Sequence, residues 1–347
     1  MKNLKEPFIW DYFSDQPYPI RDKRYKRAMR RHSISDILPL LLSNLIFFPL
    51  SILTMRLFKG KESLEYGIGV NLDKGAVQVK LVEELGVKHL IIRLPLWDIE
   101  RLDEYLKFVK SFGEDKIILI NILQDRENIE NHKLLKKNIT KIFESFQDIS
   151  DEFQIGNAIN RTKWGFFSMR EYLEFYRVVQ EVRDGYFQDI KLIGSSVIDF
   201  EFHYTIRTLF NLYPIKYDRL SSLLYVDRRG EPNSTQMGIF DTENKINMLY
   251  ALTKLSSKTT NQIYITEVNW PISDRVPYAP TSELESVSEE IYSKYMLEYL
   301  KIAKRDSKIK RVYWHQLIAR GYGLVDDKDG EIRKMKAFYE FKKMVNS

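Results

Sequence analysis

The chain has 347 residues, a length that suits either two domains or one large α/β barrel carrying an extra segment. Hydrophobic residues make up 44% and charged residues 29%, a balance that excludes a mainly disordered protein, and the absence of cysteine excludes disulfides and thiolate chemistry. The net charge of +6 comes from residues 1–61, so the remainder has no basic excess, which argues against a nucleic-acid-binding body.

The N-terminal segment, residues 1–62, joins a basic run to a long apolar stretch. Lys and Arg are dense between Arg21 and Arg31, and residues 37–55 carry no charge. Such a stretch would extend about 28 Å as a helix, close to a bilayer core, although Pro39 and Pro49 weaken a single straight helix. Three interpretations stay open: a transmembrane helix with its basic side in the cytoplasm, an interfacial or re-entrant segment on anionic lipid, or a helical extension packed on the domain. The first two predict contact with membrane lipid through residues 21–55.

The remainder, residues 63–347, alternates short apolar runs with amphipathic stretches. The predicted strands are 66–72, 89–94, 117–123, 152–157, 191–196, 222–226, 262–266 and 312–316. The predicted helices are 76–85, 99–112, 138–146, 169–183, 202–212, 245–255, 287–303 and 335–345. Strands that alternate with helices imply parallel βα units, and eight such units predict a (β/α)8 TIM barrel.

Active sites of such barrels lie at the carboxyl ends of the strands. Here these ends are rich in amides, acids, cations and aromatic rings, a combination that suits a polyhydroxylated ligand. The candidate ligand-binding residues are Arg93, Trp97, Asn121, Asn157, Asn160, Trp164, Asp199, Tyr225, Arg228, Asn269, Trp270, Trp314 and His315. The histidines are scattered and no phosphate-loop glycine motif occurs in the sequence, so neither a metal nor a cofactor is expected.

Three stretches carry a family resemblance: FQIGNAINRTKWG at 153–165, YITEVNWP at 264–271 and VYWHQLIARGYGLVDDKDG at 312–330. They resemble glycoside hydrolase clan A, whose members are retaining glycosidases on (β/α)8 barrels. The resemblance implies that Glu267 is the nucleophile, that Asn157 binds the sugar 2-hydroxyl, that Tyr225 contacts the nucleophile and that Trp314 stacks on sugar. Strand alternation allows a second arrangement, with Trp314 outside the barrel and His315 in the groove. Arg93 is expected to orient Glu267.

The family pattern places a glutamate acid/base directly after that asparagine, and this chain has Ala158 there. Loss of general acid assistance costs about 10²- to 10⁴-fold in rate. Three explanations stay open. The barrel has become a binding module; another acid has taken over, with Asp199, Glu201, Asp125 and Asp227 as candidates; or the alignment of strand four is shifted. Glu152 belongs near the opposite rim and is a poor substitute.

These observations predict a membrane-associated, glycoside-hydrolase-like protein that acts on or binds a cell-envelope polysaccharide or a lipid-linked glycan. The alternative is an inactive glycan-binding or scaffolding pseudoenzyme in polysaccharide biosynthesis. Whether the protein is an enzyme is left open; an active form would be a retaining glycosidase with Glu267 as nucleophile. The expected location is a bacterial-type inner membrane, with its side undetermined, and protein partners are not predicted.

Overall fold

The computed structural model describes residues 10–11, 14–275, 283–328 and 330–347. Eight parallel strands close into a barrel in chain order, and the last strand pairs with the first. The strands are β1 (Glu65–Val70), β2 (His89–Pro95), β3 (Ile117–Leu123), β4 (Glu152–Ile155), β5 (Lys191–Ile198), β6 (Arg219–Leu223), β7 (Ile263–Ile265) and β8 (Arg311–Trp314). The predicted (β/α)8 barrel is therefore confirmed.

Helices surround the barrel and bury its outer apolar surface. Those of eight residues or more are α1 (Lys23–Thr54), α2 (Val77–Leu85), α3 (Leu102–Lys110), α4 (His132–Phe146), α5 (Met169–Tyr186), α6 (Phe202–Leu209), α7 (Thr242–Leu255), α8 (Glu289–Arg305) and α9 (Lys336–Val345). A short helix, Arg126–Glu130, precedes α4. Several begin at side-chain caps: Ser168 accepts from the Glu171 amide, Asp241 from Asn244 and Ser288 from Ile291. Such caps satisfy amides that have no partner within the helix.

The sixth strand lies three residues earlier than the sequence predicts. Leu220 and Ser221 pair with Ile263 and Tyr264 of β7, so the ladder forms ahead of the apolar run that begins at Leu223. The chain leaves the sheet after Leu223, and Tyr225 therefore lies in the loop above the strand, where it can turn into the barrel mouth.

The end of the barrel away from the mouth is filled by a polar network. Glu152 at the start of β4 accepts from Arg311 of β8 at 2.6 Å and from the Tyr264 hydroxyl at 2.6 Å. Arg311 also donates to the Tyr313 hydroxyl at 2.9 Å. Glu152 thus lies at the rim opposite the strand ends that carry candidate site residues, as expected from its position in the sequence.

Helix α1 packs along the outside of the barrel. Phe47 stacks on Phe210 with ring centroids 3.5 Å apart, and Phe48 stacks on Phe202 at 4.6 Å. Asp36 pairs with Arg207 of α6 at 2.7 Å, with both side chains buried. These contacts show that one face of the helix packs on the barrel, and the helix continues through Pro39 and Pro49 despite the lost amide donors.

The other side of α1 is apolar and uncovered. Leu38, Leu41, Leu45 and Leu53 are 60 to 75% exposed. Among the described residues, Ser33–Thr54 is long and apolar enough to cross a membrane, with 22 residues and a mean hydropathy of 2.0. A helix with these properties occurs in membrane anchors and in signal sequences alike, so length and composition do not choose between them.

Candidate functional site

Glu267 lies two residues after the end of β7 and is buried in the mouth of the barrel. Each of its carboxylate oxygens accepts one hydrogen bond: Oε2 from Nη2 of Arg93 at 2.5 Å and Oε1 from the hydroxyl of Tyr225 at 2.6 Å. Arg93 comes from β2 and Tyr225 from the loop after β6, so three strand ends fix one carboxylate. The structure therefore brings together Glu267, Arg93 and Tyr225 as the sequence predicted.

The environment keeps Glu267 ionised. Burial acts to raise its pKa. The positive charge of His315 when that ring is protonated, the charge of Arg93 and the hydrogen bonds from Tyr225 and Arg93 outweigh burial and lower the pKa to about 2. Burial lowers the pKa of His315 to about 3, so that ring is neutral at pH 7. The Arg93 guanidinium and the two hydrogen bonds are therefore what hold the charge on Glu267.

Two buried amides continue the site toward β3 and β4. Asn121 donates to Oδ1 of Asn157 at 3.2 Å, and Gln124 holds the Asn157 backbone by accepting from its amide and donating to its carbonyl, at 2.9 and 2.8 Å. Within the described part of the chain, Nδ2 of Asn157 has no hydrogen-bond partner although the residue is buried. A buried donor without a partner is uncommon, and a ligand can supply the missing acceptor.

Ala158 follows Asn157 in a left-handed conformation, with φ of 45°, and its methyl group is fully buried. Three of the four candidate replacement acids are engaged elsewhere. Asp199 and Glu201 both pair with Arg161 at 2.5 Å, and Asp125 caps a short helix by accepting from the Asn128 amide at 2.7 Å. Asp227 is exposed.

The tryptophans fall into two groups. Trp97 and Trp164 lie at the mouth on either side of Trp10, at centroid distances of 5.2 and 5.7 Å from it. Trp314 instead points outward, donates to the Tyr292 hydroxyl of α8 at 2.7 Å and lies beside Trp270 at 6.0 Å. Trp270 is buried in the same layer. The second arrangement considered for β8 is therefore the one observed, with Trp314 outside the barrel and His315 beside the mouth.

Three further candidates support loops around the mouth. Asn160 bridges to β5 through the amide and carbonyl of Ile198 and also bonds Glu201 at 2.7 Å. Asn269 donates to the His315 carbonyl. Arg228 is exposed, whereas its neighbour Arg229 lies over the Tyr225 ring at 3.7 Å. The arginine that reaches the site from this loop is thus Arg229.

A segment that the sequence did not assign to the site lies across the mouth. We call Trp10, Asp11 and residues 14–17 the strap; Trp10–Asp11 pairs with Gln16–Pro17 as a short hairpin. Oδ2 of Asp15 accepts from Arg93 at 2.9 Å, Gln316 at 2.8 Å and Asn71 at 3.3 Å. Gln16 accepts from Lys163 at 2.6 Å. No local sequence pattern predicts these contacts, because Asp15 lies far from its partners along the chain.

Two cavities flank these contacts. The inner one, beside Glu267 and Asn121, has a volume of about 10 Å³. The outer one, lined by Trp10 and Trp97, measures about 380 Å³. Pockets for small organic ligands span roughly 300–1,000 Å³, so the outer cavity has a suitable size and the inner one does not.

Solved structures with a similar fold include glycoside hydrolases. No protein-family model matches the sequence, and no curated protein matches it. A family 1 β-glucosidase from Thermotoga maritima matches with a TM-score of 0.59 at 12% identity, over 83% of this chain and 98% of the enzyme. Virulence factor SghA from Agrobacterium tumefaciens matches with a TM-score of 0.60 at 10% identity, over 85% and 99%.

A third solved structure, the GH39 enzyme from Xanthomonas axonopodis pv. citri, matches with a TM-score of 0.56 at 11% identity, over 82% of this chain and 67% of that enzyme. The chain therefore has the barrel fold of clan A glycoside hydrolases, as its sequence motifs suggested. Likeness of fold at this identity does not establish an activity, because many functions share this architecture.

Proposed function

We propose that this protein binds a glycan of the cell envelope in the barrel mouth while α1 rests on a membrane. The observation that carries the proposal is the buried carboxylate of Glu267, fixed by Arg93 and Tyr225. It shares a cavity with Asn121, which donates to Asn157, the residue whose Nδ2 has no partner among the described residues. A buried donor without a partner costs about 1–3 kcal/mol, a cost that a ligand hydroxyl at Asn157 relieves. Trp97 and Trp164 supply flat apolar faces for sugar rings.

Among the residues that the structure describes, Ala158 stands at the position of the family's acid, which favours binding over efficient hydrolysis. Ala158 carries no ionisable group, and Asp199 and Glu201 are committed to Arg161. The barrel thus retains the anion and the amide of a glycosidase site without the acid.

The uncovered face of α1 supports the membrane part of the proposal. Soluble monomers rarely expose contiguous apolar patches beyond a few hundred Å². Here an apolar face along Leu38, Leu41, Leu45 and Leu53 follows a basic run, the combination by which interfacial helices bind anionic lipid. Because the opposite face of α1 is packed on the barrel, we favour a helix that lies in the membrane interface over one that crosses the bilayer.

A slow retaining glycosidase is the second candidate, and the ionised state of Glu267 favours it. A carboxylate with a pKa of about 2 is available as a nucleophile at any physiological pH. Leaving groups that are already good anions need no proton, so such substrates would still glycosylate Glu267.

The test uses 2,4-dinitrophenyl β-glycosides of glucose, xylose, glucuronate and galacturonate, with and without azide, together with binding to an array of envelope glycans. The native chain is compared with Glu267→Gln, which keeps the shape of the side chain. Glycan binding without dinitrophenolate release supports the binding protein. A burst of dinitrophenolate that azide converts to turnover, and that Glu267→Gln lacks, supports the glycosidase. Neither binding nor release in the native chain would contradict both candidates.

A further inference from the structure

The strap occupies polar groups that an incoming glycan would need. One oxygen of Asp15 receives three donors, from Asn71 at the end of β1, Arg93 of β2 and Gln316 after β8. Arg93 also donates to the Asp15 carbonyl at 3.1 Å. Its two terminal nitrogens therefore hold two carboxylates, Asp15 on Nη1 and Glu267 on Nη2.

The same three donor residues line both cavities at the mouth. Asn71, Arg93 and Gln316 line both the inner cavity beside Glu267 and the outer cavity beside Trp10. Asp15 binds all three and also lines the outer cavity, so its carboxylate lies where the cavities meet. An inner space of about 10 Å³ holds at most one water, so no sugar ring reaches Glu267 while the strap is in place.

The strap is fastened at both sides of the mouth. Gln16 accepts from Lys163, beyond β4, and Trp10 contacts Trp97 and Trp164. Asp15 itself has φ of 53°, a left-handed conformation that aspartate tolerates better than most residues. From this conformation Asp15 directs its carboxylate into the barrel.

We infer that Asn71, Arg93 and Gln316 form a subsite for a sugar carboxylate and that the carboxylate of Asp15 occupies this subsite in the absence of ligand. The strap leaves the subsite when a uronic-acid-containing glycan binds. This inference rests on the proposed function, since it names the substrate class and the regulation of that same site. The Arg93 guanidinium supplies the positive charge. The side-chain amides of Asn71 and Gln316 supply donors directed at the position that one Asp15 oxygen occupies while the strap is in place. A neutral sugar would offer these three donors no carboxylate in place of Asp15.

The experiment compares the native chain, Asp15→Ala and the control Asp103→Ala, which removes an exposed carboxylate from α3. The ligands are oligoglucuronate and oligogalacturonate, each beside its carboxyl-reduced counterpart. Hydroxyl-radical footprinting of Trp97 and Trp164 reports the position of the strap without any glycan. We expect Asp15→Ala to expose both tryptophans and to strengthen binding of the acidic oligosaccharides about tenfold or more, because the closed state no longer competes.

A second pair of samples holds the strap shut. The chain has no native cysteine, so Gln16→Cys with Lys163→Cys introduces two unique thiols that a short bismaleimide can join. The cross-linked protein should lose binding, and the same double variant capped with two separate maleimides should keep it.

Each outcome decides a different point. Equal binding of acidic and reduced oligosaccharides by Asp15→Ala overturns the carboxylate subsite and leaves the proposed function standing. Unchanged footprints and unchanged affinity in Asp15→Ala overturn the role of the strap. Exposed tryptophans with no glycan bound by any variant show that the strap opens but that the proposed function, and the subsite with it, is wrong.

Discussion

The hydroxyl of Tyr225 donates to Oε1 of Glu267 at 2.6 Å, which leaves Oε2 for Arg93. One carboxylate is thereby held by a neutral and a charged donor from two different strand ends. The arrangement explains why a carboxyl group buried in a protein stays ionised, since hydrogen bonds to the anion and an adjacent cation outweigh the cost of burial.

The first prediction concerns stability against pH. The pKa of Glu267 falls from 4.5 to about 2 on folding, so its stabilising contribution is complete above about pH 5 and is lost as the pH falls through 2. The full contribution amounts to roughly 3 kcal/mol. Urea unfolding at pH 7, 4 and 3 should therefore show a smaller loss in Glu267→Gln than in the native chain. Parallel loss in both proteins would contradict the lowered pKa.

The second prediction concerns the attachment of α1 to the barrel. Asp36→Ala leaves Arg207 buried without its carboxylate, which should lower the free energy of unfolding by about 3–5 kcal/mol. The double variant Asp36→Leu with Arg207→Met removes both charges and should recover most of that loss. Chemical denaturation measures all three proteins. If the single and double variants lose equal stability, the buried pair is not the anchor.

The third prediction concerns the uncovered face of α1. Leu41→Asp with Leu45→Asp should weaken binding to phosphatidylglycerol vesicles about a hundredfold or more, since each buried leucine contributes about 1.5–3 kcal/mol. Leu212→Asp is the matched control, because Leu212 is fully exposed and lies outside α1. Co-sedimentation with vesicles checks the result. Unchanged vesicle binding by the Leu41→Asp, Leu45→Asp double variant would contradict the membrane part of the proposal.

The fourth prediction concerns the position of the missing acid. Ala158→Glu should destabilise the fold by about 1–3 kcal/mol, because the methyl group is buried, and should raise hydrolysis of unactivated glycosides about 10²-fold or more. Ala158→Gln matches the size without the proton. Equal rates in the two variants would show that residue 158 does not face the scissile bond.

The strand pattern was sufficient to predict the barrel because a buried parallel strand is marked by its own residues. The runs at 117–123 and 152–157 begin where β3 and β4 begin, since apolar side chains and flanking turns are local signals. The sixth strand was misplaced for the opposite reason. Its own residues include Arg219, Ser221 and Ser222, whereas the apolar run at 223–226 lies mostly beyond it, so only pairing with β7 shows which residues enter the sheet.

The residues of the candidate site also fall into those that local sequence patterns predict and those that they do not. Glu267 and Asn157 could be predicted because their motifs follow strands directly. The strap could not, because Asp15 and Arg93 are brought together by the path of the chain outside the barrel. Trp314 and Arg228 show a third limit: neighbouring residues on a strand end or loop point different ways, and the sequence does not say which side chain enters the mouth.

The course of α1 also sets how the molecule faces a flat surface. Asp36 accepts from the Arg170 amide at the start of α5, beside the mouth, while Lys59, just beyond the helix, contacts Tyr250 near the end of α7 at the opposite end of the barrel. The helix therefore runs the height of the barrel along its side. With its leucine face on lipid, the barrel lies down and its opening looks along the surface. Sugars that project from neighbouring lipids would enter horizontally, at the level of their own headgroups.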